Sequence, residues 1–334
     1  VSCQPSPMPK SGLIALIGRP NVGKSTLLNL LVGQKVAIVS NKPQTTRNRI
    51  IGVQTTEDCQ MIFLDTPGIH RPGHLLNKRM MEEVYDSLRG VDLLVQVVDV
   101  SERYGKGEKF VLNLVQKTQK PTILALNKID LINKGKILPV LEFYSHQFEY
   151  REMIPLSAHK GDNFELLQEK IAENLPAEGE WLYPSEYITD QPERFMVSEI
   201  IREKVLHHTR QELPYSTAVL VEVFDESKRK KGFMSITASI IVDKGSHKKI
   251  VIGRAGQMVK TIGTEARVDL QDFLDVPKLY LELNVRVLSG WRDQGHLLDE
   301  LGVRSANYTQ ELSIDNRLQT TERKMEDESQ NPEE

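Results

Sequence analysis

The stretch "LIALIGRPNVGKSTLLNLL", residues 13–31, decides how the chain begins to fold. It opens on an apolar run, passes through a polar loop bounded by glycines, and continues with helical spacing from Lys24 to Leu31. The loop "GRPNVGKS" (18–25) fits the pattern G-x-x-x-x-G-K-[ST] between a strand and a helix. In that setting the backbone of Gly18, Arg19, Pro20, Asn21, Val22 and Gly23 is expected to cradle phosphates at the positive end of the helix, with Thr26 in its first turn. Lys24 reaches the outer phosphates and the Ser25 hydroxyl ligates Mg2+. An accidental match in a chain of this length has odds of about 1% at ordinary residue usage.

Outward from this unit, residues 13–176 alternate apolar runs with helical stretches. The runs are "LIALIG" (13–18), "CQMIFLDT" (59–66), "DLLVQVVDV" (92–100), "PTILALNK" (121–128) and "REMIPLSA" (151–158). Helical spacing lies between most of them, as in Lys24–Leu31 and Phe164–Leu175. This alternation predicts an α/β domain around a mostly parallel sheet. The runs are apolar throughout, as strands covered on both faces are.

Three of the runs end in polar patterns that carry chemistry. "DTPG" (65–68) places Asp65 to hold Mg2+ through water, and Thr66 and Pro67 lead to Gly68, whose N–H would meet a γ-phosphate. In "NKID" (127–130) the Asp130 carboxylate can accept from both N1–H and N2–H2 of guanine. Adenine carries an acceptor at N1, and an unpaired group in a dry site costs about 1–3 kcal/mol. Asn127 can bond the base and the loop, the stem of Lys128 can cover the ring, and Ile129 lies in the same turn. "SA" (Ser157, Ala158) would offer a backbone N–H to the guanine O6. Together these residues select GTP over ATP.

Between the first two motifs, "SNKPQTTRNRIIG" (40–52) is polar and lacks periodicity. A threonine here can complete the Mg2+ shell when a γ-phosphate is present, which makes an order–disorder switch. Thr46 is preferred to Thr45, and the sequence does not decide between them. The expected cation ligands are thus Ser25, Thr46 and Asp65. Lys24 and Gly68 join Thr46 and Asp65 at the reacting phosphates. Ras-like GTPases orient the attacking water with a Gln just after D-x-x-G. Ile69 stands there in this chain, so intrinsic hydrolysis is expected to be slow or to depend on another group.

The 334 residues suit two domains, and a net charge of −3 with 39% apolar and 27% charged residues reads as soluble and globular. A nucleic-acid signal must therefore be local. Two cysteines, Cys3 and Cys59, argue against a disulfide framework and for a reducing cytoplasm. No apolar run approaches the roughly 18 residues of a transmembrane helix, and neither a signal nor a transit peptide is read at the N-terminus.

Residues 177–192, "AEGEWLYPSEYITDQP", break the alternation and read as a linker. A helix is expected at about Phe195–Glu212, then strands at 217–224 and 235–243. Two helical turns follow around the glycines of "KKIVIGRAGQMVKTIG" (248–263), then a strand at 279–289 and a short helix over Trp291–Leu301. The order is α-β-β-α-α-β. The run Glu322–Glu334 holds six acidic and two basic residues, a disordered tail by composition. "SKRKKG" (227–232) is the densest basic run, either a solvated loop or a contact for RNA phosphates. His207 and His208 read as surface or edge residues, and no histidine takes a catalytic role.

The series "GRPNVGKST", "QTTR", "DTPG", "NKID" and "SA", followed by "YITD", "ERFMVSEIIREK", "ELPYS", the 248–263 stretch and "SGW", resembles the Era-like family of bacterial GTPases. The resemblance covers about residues 12–302. It implies a Ras-like P-loop GTPase domain, with a mostly parallel sheet and helices on both faces, followed by an α+β type II KH domain. The organisation expected is a disordered N-terminus (1–11), a GTPase domain (12–176), a linker (177–192), a KH domain with a C-terminal helix (193–302) and a flexible acidic tail (303–334). The resemblance further implies a monomer that needs GTP or GDP and Mg2+. It implies binding to the 3′ region of small-subunit ribosomal RNA and a role in assembly of the 30S subunit. GTPases resembling this one, with Asn at the place of Asn21, can also hold K+ there, which makes Asn21 a catalytic candidate. A KH domain clamps about four nucleotides of single strand on a G-x-x-G turn. That assigns RNA contact to Gly253, Arg254, Ala255 and Gly256, with Lys248, Lys249, Ile252 and Lys260 beside them. Two rivals stand: an RNA chaperone in which hydrolysis only times release, and a GTPase peripheral to the inner face of the cell membrane that couples growth to cell cycle or energy state.

Overall fold

The strand expected from Leu13 starts earlier. β1 spans Lys10–Ile17 because Lys10, Ser11 and Gly12 already pair with Cys59, Gln60 and Met61. The strand therefore includes two residues before the expected boundary at residue 12. The computed structural model describes residues 10–42, 44–68, 73–176, 180–210 and 213–303. Residues 1–9, Ile69 and the acidic tail from 304 lie outside the described residues.

After β1 come α1 (Lys24–Val32), β2 (Ile50–Thr55), β3 (Cys59–Asp65), α2 (Leu75–Ser87), β4 (Leu93–Asp99), α3 (Lys106–Thr118), β5 (Thr122–Asn127), α4 (Ile137–Ser145), β6 (Glu152–Pro155) and α5 (Phe164–Asn174). The strands form one six-stranded sheet in the order β2-β3-β1-β4-β5-β6. All neighbours are parallel except β2, which runs antiparallel to β3. Leu27, Leu28 and Leu31 of α1 share one buried cluster with Leu167 and Ile171 of α5. Met81 and Val84 of α2 share another with Val111 and Val115 of α3. The sheet is thus covered on both faces, which is why its strands are apolar throughout. β1 lies between β3 and β4, so the loop after it opens at the carboxyl edge where the strand order reverses, the usual ligand crevice of such sheets.

The stretch expected to be a linker is an ordered strap where it is described. Ile188 accepts from Val53 N at 2.7 Å, and Gln60 exchanges hydrogen bonds with Tyr183 in both directions. Tyr183 and Tyr187 stack with ring centroids 4.7 Å apart. Next come α6 (Glu193–His208), β7 (Thr217–Asp225), β8 (Phe233–Val242), α7 (Gly245–Ile252), α8 (Gln257–Phe273), β9 (Lys278–Val287) and α9 (Gly295–Glu300). Helix α6 ends four residues before the expected Glu212. Thr209 is extended there and its hydroxyl caps Val205 O at 2.6 Å. The last expected helix is split into a 3-10 turn at Trp291–Asp293 and the short α9.

The second sheet, β7-β8-β9, pairs β8 antiparallel with β7 and parallel with β9. Its core joins Val197, Ile200 and Ile201 of α6 to Met234, Ile236 and Ile240 of β8 and Ile262 and Leu270 of α8. The opposite face contributes Ala218 and Ile241 to a cluster with Trp291, Leu298 and Val303, and this cluster also takes Leu76 and Met80 of α2. Val303, expected to begin the flexible tail, is buried, and its carbonyl accepts from Arg79 of α2 at 2.6 Å.

Candidate functional site

The site lies at the carboxyl edge of the six-stranded sheet, where the ends of β1, β3 and β5 meet. Lys24, buried in the first turn of α1, donates to Gly18 O at 3.3 Å and Arg19 O at 3.2 Å. Burial pulls its pKa down, while Asp65 and Glu108 oppose that shift. Val22 packs in the core beneath the loop and Thr26 is half-buried behind it. The Arg19 guanidinium turns away toward α3, reaching Glu102 at 2.7 Å and Glu108 at 3.5 Å. Asn21 donates from its side chain to Asn41 O at 2.9 Å, so it touches the loop between α1 and β2.

Three oxygens converge at the end of β3. Ser25 Oγ is 2.7 Å from Thr46 Oγ1 and 2.6 Å from Asp65 Oδ2, and Thr46 Oγ1 is 3.3 Å from the same carboxylate oxygen. Thr45 points elsewhere, its hydroxyl bonded to Lys42 O at 2.6 Å. The geometry therefore separates the two threonines that the sequence could not. Asp65 is fully buried and its Oδ1 has no hydrogen-bond partner. Burial pushes its carboxyl pKa up, against the pull of Lys24 and the two hydroxyls. A buried carboxylate oxygen without a partner, beside two hydroxyls, suits a hard divalent cation such as Mg2+. Among the described residues no group of three His, Cys, Asp or Glu could hold a metal, so this mixed hydroxyl and carboxylate set is the candidate.

Thr66 works as a strut, donating to Leu16 O at 2.8 Å. After Pro67, Gly68 comes so close to the first loop that an added Cβ would lie 2.7 Å from Pro20 Cα and 2.9 Å from Pro20 N. Only glycine lets the two phosphate-facing loops approach in this way.

At the end of β5, Asn127 donates to Val22 O at 2.8 Å and accepts from Lys128 N and Ala158 N at 2.8 and 2.9 Å. Its role here is to tie three loops together. The bond from Ala158 N–H to Asn127 fixes the Ser157–Ala158 turn, where a backbone N–H for the guanine O6 is expected, beside the end of β5. Lys128 holds a left-handed backbone next to Ile129 and stretches its ammonium to Asn21 O at 2.7 Å and Asp99 at 2.6 Å. Its stem thus spans the gap between the loops. Asp130 is exposed and accepts from Ser157 Oγ at 2.6 Å.

The second candidate surface is the turn between α7 and α8. Gly253 and Gly256 have φ of 75° and 77°, and Ala255 between them has φ 50°. Arg254, Lys249 and Lys260 are exposed around it and Lys248 is half-buried. Beside the turn lies a cleft of about 470 Å3 lined by Lys248, Ile252, Val259, Asn284 and Arg286 among others. Val251 and Ile262 are buried in the core of the KH unit, and Ile250 is half exposed. Asn284 and Arg286 were not foreseen. They lie on the alternating strand β9, and that alternation was the available signal. Of the basic run 227–232, Arg229 is spent internally, bidentate on Glu193 at 2.7 and 2.8 Å.

The two parts of the chain meet along the loop that carries Thr46. Glu203 of α6 accepts from Val39 N at 2.8 Å and Lys35 Nζ at 2.7 Å. Arg202 donates to the Thr45 and Gln44 carbonyls while it pairs with Glu199. His207, read as a surface or edge residue, is exposed, with its ring nitrogen 3.1 Å from Val39 O.

Comparison with known proteins matches residues 13–128 to a family described as 50S ribosome-binding GTPase and residues 212–292 to the KH domain. Among solved structures, the chain is similar to Era in complex with MgGDPNP and nucleotides 1506–1542 of 16S ribosomal RNA. The two are 39% identical with a TM-score of 0.85 over 88% of this chain and 99% of that one. It is also similar to a variant of Aquifex aeolicus Era bound to GDP·AlF4−, at 39% identity and a TM-score of 0.84 over 88% and 99% of the two chains.

Proposed function

The chain belongs to the Era family of GTPases, and from that premise we propose that it is a GTP-hydrolysing switch whose KH unit binds the 3′ region of small-subunit ribosomal RNA during assembly of the 30S subunit. The observation that carries the reading is the meeting of Ser25, Thr46 and Asp65 while the residues on either side of Thr46 are held by the KH unit. In this reading the GTPase unit runs to residue 176 and the RNA-binding unit from 193 to about 303.

The chain's own groups divide the work. Gly18–Ser25 would hold the phosphates, and the Lys24 ammonium would leave its two loop carbonyls for their outer oxygens. Asp130 would read the guanine edge and the Lys128 stem would cover the ring. Mg2+, where held by Ser25, Thr46 and Asp65, supplies positive charge beside the phosphates as their negative charge shifts. Thr46 can join this shell only while its loop is closed, so loss of the γ-phosphate would free the loop and everything tied to it. On the KH side, Arg254, Lys248, Lys249 and Lys260 would meet the strand's phosphates at the 253–256 turn. Among the described residues no helix is long and apolar enough to cross a membrane. A cytoplasmic site of action fits an RNA-directed role.

The test is Gly256→Asp. An added Cβ there meets nothing within 4 Å, although the positive φ adds some strain. The carboxylate should repel the strand, so RNA binding is lost and GTP binding is kept. Wild-type RNA affinity in the folded variant would move the RNA away from this turn. Single-turnover hydrolysis with and without pre-ribosomal particles separates the switch from a chaperone in which hydrolysis only times release.

A further inference from the structure

Arg47 of "QTTR" (44–47), the Leu-Pro-Tyr-Ser of 213–216 and the Ser-Gly-Trp of 289–291 have no part in the chemistry above. The fold brings them to one point. Arg47, only 4% exposed, leaves its own unit and enters a socket of the KH unit. Its guanidinium donates to Thr217 O at 2.9 Å and Pro214 O at 3.1 Å. It lies over the Trp291 ring, 5.6 Å from the centroid. Trp291 is itself fixed by donating to Ser216 O at 3.2 Å.

The socket holds the guanidinium without a carboxylate in hydrogen-bonding contact, and Arg47 Nε has no partner. Burial, with Arg202 and Arg292 repelling and Glu199 attracting, pulls its pKa down to about 9. A buried cation held by two carbonyls and a ring gains little over the same cation in water. Arg47 can therefore be docked or released at small expense, as a coupling element requires. Its neighbour in sequence is Thr46, whose hydroxyl sits with Ser25 and Asp65. Adjacent Cα atoms are about 3.8 Å apart, so docking of the Arg47 side chain restrains the backbone that places Thr46.

We propose that Arg47 is a positioning residue for GTP hydrolysis: docked between the 213–217 turn and Trp291, it holds Thr46 in the closed place, so that the KH unit itself stabilises the hydrolysing form. This rests on the reading of the chain as a GTPase in which Thr46 completes the cation shell. With its guanidinium engaged by Thr217, Pro214 and Trp291, Arg47 acts through its neighbour. By linkage, the nucleotide that favours closed Thr46 also favours the docked socket.

The experiment uses the full chain with Trp181→Phe, which leaves Trp291 as the single tryptophan of the two. Trp291 emission should differ between GDP and a non-hydrolysable GTP analogue, because the cation over its ring is released in one state. In the same background, Arg47→Ala should slow single-turnover hydrolysis about tenfold. It should also raise the Mg2+ midpoint of hydrolysis and leave GTP affinity within about twofold. Arg47→Lys, with one ammonium for two carbonyls, should fall between the two. A merely structural role would lower affinity and melting temperature together without moving the Mg2+ midpoint. Unchanged hydrolysis and Mg2+ midpoint in folded Arg47→Ala overturn the proposal. So does identical Trp291 emission in the two nucleotides, a result that needs no Arg47 variant to fold. If the Trp181→Phe protein neither binds nor hydrolyses GTP, the GTPase reading fails first, and that outcome is distinct from the other two.

Discussion

Replacing Glu108 by Gln should flatten the pH dependence of stability in the GTPase unit. Glu108 lies in the first turn of α3 and is 3% exposed. One carboxylate oxygen is 3.5 Å from Arg19 and the other has no partner. Burial lifts its pKa from 4.5 to about 7. Arg19 pulls the other way, Glu102 and Asp99 add to the rise, and Tyr104 and Tyr144 face the same pocket. Between pH 4.5 and 7 the folded protein holds a proton that the unfolded chain has released. Stability from this group is therefore present below pH 4.5, falls as pH rises through the window, and is gone above about 7. A displacement of about 2.5 pH units at about 1.4 kcal/mol each gives a loss of about 3–4 kcal/mol over the whole window. Glutamine keeps the shape and an acceptor for Arg19 but has no proton to lose. Hydrogen exchange of β1 and β4 amides, measured on both proteins at pH 5 and pH 8 without nucleotide, reads the difference. The wild type should lose about 2–3 kcal/mol more than the variant across that interval. Parallel pH profiles in the two proteins would refute the assignment of this cost to Glu108.

Three further outcomes follow from the same geometry. Asp65→Asn removes a buried charge whose second oxygen is unpartnered, so the nucleotide-free variant should melt higher than wild type in calorimetry, while Mg2+ no longer strengthens its GTP binding. Asp130→Asn should shift preference from GTP toward xanthosine triphosphate in competition binding, since a donor–acceptor amide suits the 2-oxo group of xanthine. Hydrolysis should run faster in KCl than in NaCl at equal ionic strength, with Asn21→Ala removing the difference. Equal initial rates in the two salts would leave a partner's arginine to neutralise the developing charge.

The nucleotide loops were legible because their chemistry demands particular side chains at fixed spacing. "GRPNVGKS", "DTPG" and "NKID" each end a strand, and the structure brings all three to one edge. What was not legible depends on contacts without a residue signature. β2 hides behind a polar stretch, because an edge strand needs only one good partner, here β3. Arg47 and Arg202 bond to backbone carbonyls far away in sequence, and a carbonyl is the same on every residue. Glu108 looks in sequence like any acidic residue at a helix N-terminus, where the dipole favours it. Its burial beneath Arg19 arises only from packing. The choice of Thr46 over Thr45 likewise needed the direction of two hydroxyls, which spacing does not encode.

The central claim is that nucleotide state governs how the KH unit engages RNA. It is tested most directly by the affinity of the full chain for a single-stranded oligonucleotide carrying the 3′-terminal sequence of small-subunit ribosomal RNA, titrated with Mg2+ present and either GDP or a non-hydrolysable GTP analogue. The account predicts binding at least about tenfold tighter with the GTP analogue, a coupling of ordinary allosteric size; equal affinities in the two states would contradict it.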